Sequence, residues 1–211
     1  PRASITYNFS GTQTLRMQLE HHAQADVFAS ADDIQMSIAV DSGVTQGEPV
    51  SFATNRLVVI SPRGSFTVQN LKDLAGSDTK LVLGLPDVPV GAYSRLSLQH
   101  MGESGEFGAD FYEHVISTVV SEEINVLQVL AKVALNEADA GIVYWTDGFR
   151  AAEKIRLTTI PDRFNVPANY PVAVVKGTQK PILAEAFVKF LRSPEGQIIL
   201  VSHGFGPANS P

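Results

Sequence analysis

Residues Ile5–Leu19 read ITYNFSGTQTLRMQL and place an alternating apolar run, a polar loop and a helical pattern one after another. The alternation over Ile5–Phe9 predicts a strand, the loop occupies Ser10–Thr14, and the helical pattern begins at Leu15. A helix that follows a strand in this way presents its first unbonded backbone N–H groups to an anion. Because the loop offers hydroxyl groups and no Lys, the stretch predicts an anion site with neutral donors.

Composition limits the classes of function. The chain has 211 residues, of which 44% are hydrophobic and 18% charged, as in ordinary globular proteins of one large domain or two small lobes. Its net charge of −6 argues against a nucleic-acid partner, and the absence of Cys excludes disulfides, thiolate catalysis and Cys-based metal sites. No apolar run approaches the length of a membrane-spanning helix. No signal peptide is visible, which predicts a cytosolic protein or a chain already processed or shortened.

Strand and helix patterns alternate along the chain and predict an α/β fold with parallel or mixed sheets. In such folds ligands bind at the carboxyl ends of the strands. Two apolar strands that are far apart in sequence, 56–60 and 170–175, are interpreted as crossovers between two lobes. The predicted strands are 26–30, 56–60, 80–85, 117–121, 140–144, 155–160 and 170–175, and the predicted helices are 31–40, 70–75, 91–101, 125–135, 181–192 and 194–203.

Four junctions between strand and helix carry small or hydroxyl residues. They are the opening loop around Thr12, the segment 87–93 with Pro89 and Gly91, the segment 121–126 with Asn125 as an N-cap, and the segment 144–148 that begins at Tyr144. Each junction alone is typical of a routine cap or turn. Together they lie where an α/β sheet places its ligand crevice, and they favour a binding site.

The sequence predicts no catalytic residues and no metal site. The five His residues form no HExxH motif, and no nucleophile elbow, phosphate loop or GxGxxG motif follows a strand. Asp147 is compatible with a general base, but a helix cap is the favoured interpretation. Nothing combines a nucleophile, a base and a group that orients the base.

These residues resemble the periplasmic molybdate-binding proteins of ABC transporters, and the similarity runs almost end to end. ADVFASAD, VPxGxY and GIVYxxD occur in the order and spacing specific to that family. The matching segments, in chain order, are FSGTQTL, QADVFASADD, NRLVVISP, GLPDVPVGAYSR, INVLQVLAKVALNEADAGIVYWTD, IPDRFNVPANYPVAVVKGT and FVKFLRSPEGQIILVSHGFGP.

The resemblance implies a type II periplasmic-binding fold, in which two lobes close around molybdate or tungstate. Lobe I is expected over 1–55 and 172–211, and lobe II over 56–171. Ligands carried over by position are Thr12, Val90, Val126 and Tyr144, supported by Ser10, Gly11, Gly91, Asn125 and Asp147. Thr12 stands where the family more often has Ser, and Asn125 where it more often has Asp.

One departure concerns the start of the family pattern. The family begins with a further strand, a loop containing Ala-Ala-Ser-Leu whose Ser is a ligand, and a helix, and this sequence has no counterpart. We therefore expect these 211 residues alone to bind oxyanions weakly or not at all.

The leading hypothesis is a solute-binding protein and not an enzyme. It would lie in the periplasm or outside the cell at the membrane, capture molybdate or tungstate without a cofactor, and deliver it to the permease of an ABC importer as a monomer. The alternative is an effector-sensing domain of a regulator with the same fold, although no DNA-binding helical segment is recognisable. An enzyme on the same scaffold is the third possibility.

Overall fold

A computed structural model describes residues 4–208 and divides the chain into two compact units. Unit 1 comprises 1–55 and 168–211, and unit 2 comprises 56–167. The chain thus passes from one unit to the other at Asn55–Arg56 and again at Pro167–Ala168. The second passage lies before the expected 171/172 boundary, because the strand that begins at Ala168 pairs from its first residue with a strand of unit 1.

Strands and helices alternate along most of the described chain, as the sequence predicts, although two pairs of strands and two pairs of α-helices are consecutive. The strands are β1 (Val27–Ala29), β2 (Thr45–Asn55), β3 (Leu57–Pro62), β4 (Leu81–Gly84), β5 (Val119–Glu123), β6 (Ala140–Tyr144), β7 (Ile155–Thr159) and β8 (Ala168–Val175). The α-helices are α1 (Thr12–Glu20), α2 (Asp33–Asp41), α3 (Pro89–Glu103), α4 (Phe111–Ser117), α5 (Val126–Ala134), α6 (Trp145–Arg150), α7 (Pro181–Leu191) and α8 (Pro194–Ser202), and a 3₁₀ turn spans Leu71–Ala75.

Unit 1 is built on a three-stranded antiparallel sheet in the order β1-β8-β2. The strand β8 lies in the centre, so both of its backbone edges are paired, and its last five residues are buried. The helices α1 and α2 pack on this sheet and form one hydrophobic core with it. The buried residues of this core are Leu19, Phe28, Met36, Ala39, Ala173 and Val175.

Unit 2 contains a five-stranded mixed sheet in the order β5-β4-β6-β3-β7. The strand β4 is parallel to β5 and β6, whereas β3 is antiparallel to β6 and β7. On one face α5 packs with Val129 and Val133 against Val58, Val82 and Val143. The two sheets confirm the α/β prediction, and they place β5, β4 and β6 side by side with their carboxyl ends at one edge.

The predicted strand over Ile5–Phe9 is wrong. These residues form no strand in the described part of the chain, and Phe9 is 83% exposed. The alternation is real, but a strand is stable only when a neighbour takes up its backbone hydrogen bonds, and no described strand pairs with this segment. The following helix begins at Thr12, directly after Gly11, and not at Leu15.

The sequence prediction also missed three elements: β2, α4 and α6. The strand β2 contains Gly47 and Pro49, which disfavour regular strands, and its pairing with β8 is irregular between Gln46 and Val50.

Among residues 4–208, no helix is both long enough and apolar enough to cross a membrane.

Candidate anion-binding site

Three junctions of unit 2 lie at the same edge of its sheet. The neighbouring strands β5, β4 and β6 run parallel and end at Glu123, Gly84 and Tyr144. Each is followed closely by a helix, so helix N-termini and a strand-end side chain converge on this edge. The sequence-predicted ligands Val90, Val126 and Tyr144 all belong to these junctions.

The junction after β4 presents unbonded N–H groups at the start of α3. Val88 is the N-cap residue and Pro89 occupies the first turn. The N–H of Ala92 donates to the carbonyl of Val88 at 3.0 Å and is the first to find a partner one turn back. The N–H groups of Val90 and Gly91 precede this bond, so they are oriented as anion donors.

Gly91 lets the start of α3 approach the end of β4 closely. A Cβ atom at this position would lie 2.0 Å from the carbonyl oxygen of Leu85 and 2.4 Å from that of Gly84. These oxygens belong to the backbone and cannot move aside without displacing the junction. The prediction that Gly91 permits close approach is confirmed, and any larger residue would shift the neighbouring N–H of Val90.

The junction after β5 has a side-chain cap. Asn125 is the N-cap of α5, and its Oδ1 accepts a hydrogen bond of 3.0 Å from the N–H of Gln128. The predicted N-cap is therefore confirmed. Because this bond occupies Gln128, the preceding N–H groups of Val126 and Leu127 are the donors that α5 presents at its N-terminus.

Tyr144 ends β6 and is the N-cap residue of α6. It is 4% exposed. The alternation of side chains along β6 places Tyr144 on the same face as Ile142 and opposite Val143, which packs with α5. The phenol thus lies at the carboxyl end of β6, on the face away from α5.

Asp147 is not the helix cap that the sequence favoured. Tyr144 occupies that position, and Asp147 lies in the first turn of α6. Burial raises the pKa of the Asp147 carboxyl to about 6, and the positive charge of Arg150 offsets only part of this effect. This carboxyl accepts a proton more readily than an exposed Asp, although it is still mainly ionised at neutral pH.

The fourth predicted ligand, Thr12, belongs to unit 1. It is the first residue of α1 and is 6% exposed, and its Oγ1 accepts a hydrogen bond of 3.1 Å from the N–H of Ala31. Gly11 is the N-cap residue but provides no side chain, and the side chain of Ser10 is exposed. The first N–H groups of α1 are thus presented next to a hydroxyl that still has a proton to donate.

Asp32 is a neighbour of Thr12 that the sequence reasoning did not assign to the site. It follows Ala31 and caps α2 by accepting from the N–H of Gln35 at 2.8 Å. Burial raises the pKa of Asp32, whereas the bond from Gln35 lowers it. The pattern ADD before an apolar helix is a cap signal, and it fixes the loop that holds the Thr12 hydroxyl.

The same edge of unit 2 carries a partly buried cationic side chain. Arg95 is four residues after Gly91 on α3, and its guanidinium contacts Glu122, one residue before the end of β5. Sequence reasoning did not single out Arg95, although the spacing of one helical turn from Gly91 was a usable signal.

Within residues 4–208, no group of three or more His, Asp or Glu side chains is arranged to hold a metal ion.

Comparison with known proteins places the chain in a family. Residues 1–206 match the family model described as bacterial extracellular solute-binding protein. The chain belongs to this family. A relative in Mycobacterium tuberculosis, molybdate-binding protein ModA, is 34% identical over 206 residues, which are 97% of this chain and 74% of the relative.

Solved structures of solute-binding proteins share the fold. A substrate-binding domain ascribed to a molybdenum ABC transporter of Clostridium difficile has a TM-score of 0.70 and 27% identity, covering 98% of this chain and 87% of that one. The sulfate-binding protein SubI of Mycobacterium tuberculosis has a TM-score of 0.81 at 15% identity, covering 93% of this chain and 74% of that one. The periplasmic-binding fold is thus confirmed, and the likeness to SubI concerns the fold alone.

Proposed function

We propose that this solute-binding protein captures molybdate or tungstate outside the cytoplasm and delivers it to the permease of an ABC importer. Several relatives, among them the Mycobacterium tuberculosis protein at 34% identity, carry molybdate in their names, and the ligands expected from the sequence have chemistry that suits a tetrahedral dianion. The protein needs no cofactor in this role and performs no catalysis. It acts as a monomer in the periplasm or on the outer side of the membrane.

The observation that carries the proposal is the convergence of neutral donors at one edge of unit 2. The backbone N–H groups of Val90 and Val126 and the phenol of Tyr144 follow three adjacent parallel strands. Helix N-termini stabilise anions through unbonded N–H groups and the helix dipole, without a cationic side chain. The hydroxyl of Thr12, in unit 1, is the fourth donor that we propose.

Such a donor set favours a fully deprotonated dianion. Backbone N–H groups donate and cannot accept, so they leave the proton of a protonated phosphate without an acceptor. A buried polar group without a partner costs about 1–3 kcal/mol, which supports discrimination against phosphate near neutral pH. Sulfate is also a dianion but is smaller, and its exclusion depends on the spacing of the donors.

Calorimetric titration tests the proposal. The protein is expressed from its complete reading frame and titrated with sodium molybdate, tungstate, sulfate and phosphate at pH 7.5. Saturable heat with molybdate and tungstate, and none with sulfate or phosphate at the same concentrations, is the expected result. Absence of heat with both molybdate and tungstate, or equal affinity for all four anions, overturns the proposed function.

A further inference from the structure

Arg95 forms hydrogen bonds to the ends of two neighbouring strands of unit 2, β4 and β5. Its Nη1 donates to the carbonyl of Gly84, the last residue of β4, at 2.8 Å, and to that of Gly91 on α3 at 3.1 Å. Its Nη2 donates to Oε1 of Glu122 on β5. One guanidinium thus holds β4, the first turn of α3 and β5 at fixed positions.

The groups that Arg95 holds lie beside the two proposed backbone donors. Gly91 directly follows Val90, and Gly84 begins the loop that leads to α3. Glu122 lies four residues before Val126, and the register of the parallel pair sets Leu83 opposite Glu122 and Gly84 opposite Glu123. A further bond, from the N–H of Leu85 to the carbonyl of Glu123 at 2.9 Å, closes the same corner.

The environment of Arg95 suits positioning better than direct anion binding. Its side chain is 18% exposed, and that of Glu122 is 39% exposed. The planar guanidinium presents several donors in a fixed fork, and here the fork is engaged by two carbonyls and a carboxylate. The carboxylate of Glu122 also neutralises the charge of Arg95, so the pair adds little net charge at the sheet edge.

We propose that Arg95 and Glu122 are positioning residues that set the distance between the N–H donors of Val90 and Val126, and thereby the size of tetrahedral anion that the protein accepts. This inference rests on the proposed function and deepens it. A fixed distance allows the donors to reach the oxygens of the larger dianions and prevents them from closing on sulfate. Without the contacts of Arg95, the distance between the N-termini of α3 and α5 is no longer fixed. Binding of the larger anions then becomes weaker, and discrimination against sulfate is reduced.

The test is the ratio of the Kd values for sulfate and molybdate in Arg95→Gln and Glu122→Gln, with the sulfate Kd measured at the higher concentrations that weaker binding requires. In Arg95→Gln the shorter side chain cannot reach both carbonyls and the carboxylate, and we expect the molybdate Kd of this variant to rise about 10-fold while the ratio falls by a similar factor. Glu122→Gln keeps an acceptor for Arg95 and removes the negative charge, so the ratio should fall less. A role in folding alone would lower the active fraction and leave the ratio unchanged.

The matched control is Arg163→Gln, which removes another ion pair of unit 2. Arg163 contacts Glu106 at 2.7 Å, and both side chains are more than half exposed. The control should retain the wild-type ratio. An unchanged ratio in folded Arg95→Gln, or an equal change in Arg163→Gln, overturns the positioning role. If the wild-type protein binds neither molybdate nor tungstate, the proposed function itself fails, and this result is distinct from both.

Discussion

The backbone N–H of Ala31 donates a hydrogen bond of 3.1 Å to the hydroxyl oxygen of Thr12. The bond uses a lone pair of that oxygen and leaves its proton available to another acceptor. It also links the first residue of α1 to the loop that precedes α2. The hydroxyl is therefore oriented by its own unit, as a donor to an anion requires.

Replacement of Thr12 by Val, which has the same shape without the hydroxyl, should weaken molybdate binding. A hydrogen bond to a charged partner contributes about 1.5–3 kcal/mol, so the Kd should rise at least about 10-fold. Thr12→Ser keeps the hydroxyl and should remain within about threefold of the wild-type Kd. Titration calorimetry measures both variants, and equal Kd values for the Val and Ser variants would show that the hydroxyl is not a ligand.

Tyr144→Phe removes the phenolic hydroxyl and keeps the buried ring. We expect a molybdate Kd raised about 10-fold or more, for the same reason. Tyr112→Phe is the matched control, because Tyr112 lies on α4, away from the three strand ends, and is partly exposed. If both Phe variants bind molybdate as the wild type does, Tyr144 is not a donor to the anion.

Gly91→Ala tests the close approach between α3 and β4. The added Cβ would lie 2.0 Å from the Leu85 carbonyl oxygen, so the junction must shift. We expect a loss of about 3 kcal/mol in the free energy of unfolding, measured by urea denaturation, and weaker molybdate binding. At Gly64 no heavy atom lies within 4 Å of the added Cβ, so Gly64→Ala should change neither quantity. Wild-type stability in Gly91→Ala would contradict the described junction.

The raised pKa of Asp147 predicts that this group lowers the stability of the folded protein as the pH rises. Burial raises its pKa in the folded state from 3.8 to about 6, so the folded protein holds this proton more tightly than the unfolded chain does. The contribution of this group to stability is therefore fully present below pH 3.8 and is lost as the pH rises to about 6.

Asp147→Asn should remove this loss. Relative to the wild type, its free energy of unfolding should be higher by about 3 kcal/mol at pH 7.5, and the difference should vanish toward pH 3.8. Urea denaturation at pH 4, 5, 6 and 7.5 measures the difference. Asp139→Asn serves as a control at a partly exposed carboxyl that accepts from the N–H of Lys80. A difference that grows as the pH falls would have the wrong sign.

Local signals in the sequence predicted much of the candidate site in unit 2. The apolar run AGIVY matches β6 residue for residue, since strong β-formers are followed there by a polar turn segment. Asn125 and Pro89 are position-specific signals for the starts of helices, and the structure places them at the start of α5 and in the first turn of α3.

What the sequence did not reveal depends on partners that are distant along the chain. The alternation of Ile5–Phe9 satisfies the pattern of a strand, but pattern alone does not provide a neighbouring strand. The contact of Arg95 with Glu122 requires the register of β4 on β5, which no local pattern encodes. Strand β2 was not predicted because Gly47 and Pro49 are typical of loops.

A crystal structure of the protein, expressed from its complete reading frame, with molybdate bound would test the proposed donor set. We predict that its oxygens accept from the N–H groups of Val90 and Val126 and the hydroxyls of Tyr144 and Thr12, at about 2.7–3.1 Å. No Lys or Arg side chain should contact the anion, and Arg95 should keep its bonds to Gly84, Gly91 and Glu122. Molybdate bound elsewhere, or held by a cationic side chain in place of these donors, would contradict the proposed site.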